Sequence, residues 1–299
     1  MTEIDHFTYG LWTPGLAYAV SFIGSLLGLG GAAQALTSHG PNRVGWLAMG
    51  AVSLGGTGIW AMHFIAMLGF SVRGAPLRYD VLLTVASAVL AIAVVAVGLT
   101  LVTRAPRSVL ALVSGGAVTG AGVAAMHYTG MASMRVAVPL HHDPRYAAAA
   151  IAIAVVASTA ALWAATRVSG GLATTGASLV MAAAVCAMHY TGMAGMSVGG
   201  GDHGMAHGTP ETPSGASIMD FFLPLYAVVG LVTLVFAVIL VSVRADRADR
   251  DDSRPAAAPR ADAAPAGGAA SVFTPPPKRG GADPGTHPRT GQRRPGGPA

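Results

Sequence analysis

The sequence predicts an all-α polytopic membrane protein of seven transmembrane helices, built as three helical pairs followed by one final helix. Three observations predict it. Hydrophobic residues fill 53% of the 299 positions and charged residues only 10%, against roughly 25% charged in a soluble domain. Seven apolar segments each approach the ~20 residues that a bilayer asks of a helix. A Met-His dipeptide recurs at Met62-His63, Met126-His127 and Met188-His189, each near the end of every second segment.

The segments run over residues 14–36, 44–68, 80–102, 109–134, 146–166, 172–196 and 221–243. Inside lipid every backbone N–H and C=O needs an internal partner, so runs of this length form helices. Gly24–Gly28 and Gly116–Gly120 are GxxxG pairs, expected to let neighbouring helices of the same chain approach closely. Glu3 and Asp5 precede the first segment and no Lys or Arg does, so it reads as a retained helix, not a cleaved signal. The single cysteine, Cys186, excludes an intramolecular disulfide and reads as a small core residue.

Arginine placement sets the expected orientation. With the N-terminus outside, the inner loops carry Arg43, Arg104, Arg107 and Arg167, and the C-terminal segment adds Arg244, Arg247 and Arg250. The outer loops hold Arg73, Arg78, Arg135 and Arg145. This asymmetry puts the N-terminus outside and the C-terminus in the cytoplasm. The basic pI of about 9.8 therefore reflects topology and not nucleic-acid binding. Residues 1–243 form the membrane domain. Residues 244–299, rich in Ala, Pro, Gly and Arg, are expected to be a disordered cytoplasmic tail without an output domain.

The chemistry lies in the repeats. His63, His127 and His189 are spaced by 64 and 62 residues, so each repeat is a helical pair, and alternate helices bring all three motifs to one side. The candidate metal ligands are Met62, His63 and Met67; Met126, His127, Met131 and Met134; and Met188, His189, Met193 and Met196. His127, Met131 and Met134 stand at i, i+4 and i+7, so they form one stripe, and His189, Met193 and Met196 repeat it. In the first repeat Phe70 takes the last position. Imidazole with thioether suits copper, Cu(I) above all, and an intramembrane histidine is a functional site by default. A lone His or Met often serves packing alone, but three copies in register at one depth argue against that.

Met126-His127-Tyr128-Thr129 and Met188-His189-Tyr190-Thr191 resemble the tetrad that names the MHYT family of bacterial integral membrane sensor proteins. Met62-His63-Phe64-Ile65 keeps the first two positions. The resemblance covers about 243 residues. It implies a sensor domain of a bacterial inner membrane that binds copper and thereby responds to oxygen, carbon monoxide or nitric oxide, in a family whose members often carry cyclic-di-GMP-related or kinase domains.

The expected function is thus a non-enzymatic membrane sensor that holds copper near the outer face, contacts lipid, takes a diatomic gas and signals to a separate cytoplasmic partner. Tyr128, Thr129, Tyr190 and Thr191 offer hydroxyls around the bound group. Repeat one lacks them, which makes His63 the auxiliary ligand and His127 and His189 the principal ones. The alternative is a transporter or channel for copper or another soft ion. Haem held by the histidines is a third reading. Retinal is excluded, because the one lysine, Lys278, lies in the tail. His141-His142-Asp143 and the loop from Asp202 to His207 could collect metal on the outer side.

Overall fold

The computed structural model describes residues 4–5, 7–72, 77–136, 140–198, 214–217 and 221–252. Among them are seven helices long and apolar enough to cross a membrane: α1 Trp12–Thr37, α2 Gly40–Met67, α3 Val81–Arg104, α4 Val109–Ala132, α5 Pro144–Arg167 and α6 Gly171–Ala194, then α7 Leu223–Asp252. Pro144 opens α5 at a position where its missing N–H has no helical partner to lose. Asp80 and Ser108 cap α3 and α4, accepting the N–H of Leu83 and of Ala111.

The first six helices close a ring. Each packs on the next in chain order, and α6 returns to α1. Small residues make this possible. Gly24 on α1 lies against the backbone of Gly58 on α2, Gly55 against Ala91 on α3, and Gly120 on α4 against Val155 on α5, all too closely for a side chain between them. Both GxxxG pairs are spent on these intramolecular contacts, since Gly28 faces Leu54 and Gly116 faces Thr159. Large apolar side chains such as Leu82, Leu110 and Val180 point outward. Small inside and large outside is the arrangement expected where the solvent is hydrocarbon. The last helix lies outside the ring. Thr57 and Thr233 share a hydroxyl hydrogen bond of 2.9 Å, and Leu240 packs with Leu27 and Met49.

Two features depart from the sequence-based expectation. Residues Val52–Ala61 of α2 are wound as a wide π-helix, a form that is rare and concentrates at functional sites; the first histidine follows two residues later. Among the described residues, six short strands also cap the motif-bearing end: β1 Ile4–Asp5, β2 Ser71–Val72, β3 Arg78–Tyr79, β4 Met134–Arg135, β5 Leu140–His142 and β6 Met196–Val198. They pair antiparallel as β1–β2, β3–β4 and β5–β6. Each repeat is therefore strand, helix, helix, strand, with its incoming strand bonded to its own outgoing one. The same backbone bond locks each: Thr8 N–H to Gly69 O, Asp80 N–H to Ser133 O and Asp143 N–H to Gly195 O, at 3.0, 2.8 and 2.8 Å.

The strands correct the methionine stripe. Helix α4 ends at Ala132 and α6 at Ala194. Met134 and Met196 thus sit in β4 and β6, opposite Tyr79 and His142, and helical i+7 spacing does not place them. The backbone leaves the helix there because the strand ladder takes its hydrogen bonds. At the other end, α7 continues to Asp252, nine residues past the expected boundary, through a run of Arg, Ala and Asp. The tail beyond it and the segment from Asp202 to His207 lie outside the described residues.

Candidate metal centre

Three histidines from α2, α4 and α6 meet on the axis of the ring. His63, His127 and His189 are 1%, 0% and 1% exposed. The Nδ1 of His63 stands 2.9 Å from that of His189 and 3.2 Å from that of His127. One ligand nitrogen from each lies within 4.8 Å of the others. The rings are nearly perpendicular, with centroids 4.9, 4.9 and 5.3 Å apart.

This geometry strains proton accounting. A neutral imidazole has one N–H and one bare nitrogen. Two neighbours address the Nδ1 of His63. If that nitrogen carries a proton, it can serve only one of them. If it is bare, two N–H groups compete for one lone pair. A cation on the axis removes the conflict by accepting all three lone pairs. Three nitrogens bound at about 2.0 Å to one ion stand about 3.3–3.5 Å apart, close to the spacing found here. Three buried histidines so placed could bind a metal.

The outward edges of the rings are seated on glycines. Nε2 of His63 lies against Gly130, and Nε2 of His127 against Gly192; a Cβ at either glycine would collide with the imidazole. His63 and His127 thus each rest on the glycine three residues after the next repeat's histidine. The first repeat has Ala66 at that place. Neither Nε2 of His63 nor Nε2 of His127 has a hydrogen-bond partner among the described residues. The sequence shows this glycine twice, in His-Tyr-Thr-Gly, but its role depends on the neighbouring repeat and was not legible.

The aromatic that follows each histidine stacks edge-on against it: Phe64, Tyr128 and Tyr190, at 4.9, 5.0 and 4.9 Å. The hydroxyls of Tyr128 and Tyr190 make no hydrogen bond to the histidines or to other described residues, so the rings act here through their faces. Thr129 and Thr191 are half-buried. Each aromatic is covered by the incoming segment of the next repeat. Tyr79 covers Phe64, with centroids 6.1 Å apart, His142 covers Tyr128 at 5.9 Å, and Phe7 covers Tyr190 at 5.9 Å. His142 is exposed, and partial burial with His141 beside it holds its pKa below the usual imidazole value. Asp143 is spent on capping α5 through the Arg145 N–H.

All eight candidate methionines are buried. Met67, Met126, Met131, Met134, Met188, Met193 and Met196 belong to the main apolar core, and Met62 to a smaller cluster with Ala17, Ile65 and Ala66. Both other rings approach His63, at 2.9 and 3.2 Å.

Two stretches, residues 56–115 and 120–178, match the MHYT family model, described as a bacterial signalling protein N-terminal repeat. They contain His63 and His127; the third tetrad lies just past them. The bifunctional diguanylate cyclase/cyclic di-GMP phosphodiesterase MucR of Pseudomonas aeruginosa is 42% identical over 180 residues, which is 58% of this chain and 26% of that protein. The cyclic di-GMP phosphodiesterase NbdA of the same organism is 38% identical over 157 residues, 50% of this chain and 20% of the relative. The signaling protein YkoW of Bacillus subtilis is 29% identical over 199 residues, 63% and 24% of the two chains. This chain therefore spans about a quarter of the curated relatives it matches. No solved structure matches it.

Proposed function

We propose, from the premise that this chain belongs to the MHYT family of bacterial integral membrane signalling proteins, that it is a sensor domain whose three axial histidines hold one copper ion. The approach of two Nδ1 atoms, those of His127 and His189, to the Nδ1 of His63 carries this reading. His63, His127 and His189 would bind through Nδ1. The bound metal would offer a coordination position for a diatomic gas such as oxygen, carbon monoxide or nitric oxide, or a change of redox state.

The protein's own part is positional. Buried imidazoles, two of them seated against Gly130 and Gly192, present a trigonal face. Surrounding methionines exclude water and give the soft environment that favours Cu(I). A ligand or redox change that altered the spacing of the three rings would strain α2, α4 and α6 together, and a cytoplasmic partner at the far ends of the helices could read the strain. The arginine asymmetry supports a periplasmic site and a cytoplasmic C-terminus.

The other readings have less support. One turn below the histidines stand Ile59, Val123 and Val185; the thioethers lining the same space, Met181 and Met188, both belong to α6, so a travelling metal ion would meet no second ligand set drawn from three helices. Nitrogens 2.9 and 3.2 Å apart leave no room for a porphyrin between any bonded pair.

The test is elemental analysis of the full chain, purified from copper-supplemented cells and compared with a variant lacking all three histidines. About one copper per chain, lost in the variant, is expected. Equal metal in both would overturn the reading.

A further inference from the structure

We propose that the ring axis contains a second binding site, a dry apolar cavity one helical turn below the histidines that holds a single small apolar molecule. The cavity measures about 40 Å³ and is lined by five of the six ring helices, α2 to α6. Ile59, Val123 and Val185 all line it. Each precedes a motif histidine by four residues, about one turn: on α4 and α6 this is the same face about 6 Å further along, and on α2 the step begins in the π-wound stretch that ends at Ala61. The cavity is therefore a second layer of the same threefold arrangement, with apolar side chains where the layer above has imidazoles.

Size and lining select the occupant. An acyl chain, with a dozen or more methylenes, exceeds the volume. A water molecule fits but needs about three hydrogen bonds. Only the hydroxyls of Thr119 and Ser158 reach the lining, and that of Thr119 is directed at the Val94 carbonyl. Apolar cavities of this kind stay dry and take up apolar guests such as xenon. The chemistry that fits is a noble-gas atom or an uncharged molecule of two or three heavy atoms. Such molecules concentrate in the bilayer, and the wall on that side is thin: Ala157 and Ala161 on α5 and Ala184 on α6 are half-buried alanines.

The cavity stands on its own geometry. Its use as a holding position for a diatomic ligand of the histidine site rests on the proposed function above. Xenon is the probe that separates the two. The full chain in lipid nanodiscs would be studied by xenon-129 NMR beside empty discs of the same lipid, with Val123→Phe and Ala157→Leu variants that fill the space from the axis and from the lipid side. A saturable resonance absent from empty discs and lost in the variants is expected. The same resonance should persist in metal-stripped protein. If Val123→Phe fails to insert, Ala157→Leu decides. A spectrum equal to that of empty discs, or a protein resonance that survives the filling, would overturn the cavity site. Copper content measured on the same samples keeps the outcomes distinct: xenon without copper removes the metal reading alone, and copper without xenon removes this one alone.

Discussion

The Nε2 edge of His127 rests on Gly192, a residue of the next repeat, where no side chain can stand without displacing the ring. His63 has the same relation to Gly130. These two histidines are thus aimed by the neighbouring repeat and not by their own helices alone. Gly192→Ala and Gly130→Ala should each weaken metal retention roughly 10–100-fold, the range seen when groups that orient a ligand are lost. Membrane insertion and helix content should stay unchanged. Copper retention against a graded chelator series, read beside circular dichroism, checks this; unaltered retention would show that the glycines serve packing only.

Single histidine removals should be equivalent. Because His63 is approached by both other rings, His63→Ala should lose as much copper as His127→Ala or His189→Ala, each by more than the glycine variants. A His63→Ala protein that kept most of its metal would restore the sequence-based ranking.

Phe222, at the start of the last helix, is 1% exposed and stacks on Phe64 and Tyr79 at 5.2 and 4.8 Å. Phe222→Ala should destabilise the detergent-solubilised protein by roughly 3 kcal/mol, the lower end of the range for a buried phenylalanine, with a lower melting temperature. Unchanged melting would mean that the last helix adds no stability through this contact.

Asp80 ties β3 to β4 and caps α3. The Arg135 guanidinium, 2.7 Å from its Oδ2, holds its carboxyl below the usual value, with help from the Leu83 N–H. A depressed carboxyl stabilises the fold above the unfolded value near 3.9 and loses that contribution as pH falls through its own lower value. Melting temperatures of wild type and Asp80→Asn should differ at pH 6 and converge below about pH 4. A gap of the same size at the acid end would show that the charge of Asp80 on Arg135 is not the source of the difference.

The arginine distribution makes a topological prediction. An enzyme reporter active only in the periplasm should work when inserted near His203 and be silent when fused after Arg250. The reverse pattern would put the histidine end in the cytoplasm.

The seven spans and the threefold motif were legible because apolar length and a 62–64-residue spacing are properties of the chain itself. The six strands were not. Each is two or three residues long, too short to show alternation, and its partner lies a whole helical pair away. That omission misplaced Met134 and Met196, whose helical register ends before they are reached. The sequence puts His63, His127 and His189 at one depth, yet it does not say that the Nδ1 atoms of three separate helices touch. Tyr128 and Tyr190 are read in the sequence for their hydroxyls; the structure adds the edge-to-face packing of their rings on the histidines.

The closed ring has a consequence for the order of the chain. Tyr79 of repeat two leans on repeat one, His142 of repeat three on repeat two, and Phe7 of repeat one on repeat three. No repeat is first in that cycle. The architecture is an internal trimer of two-helix subunits joined end to end, and the links between subunits are incidental to the axis they surround. A chain cut between α2 and α3, its halves produced together, has every interface it needs to reassemble, and a permuted chain that begins with repeat two would build the same centre.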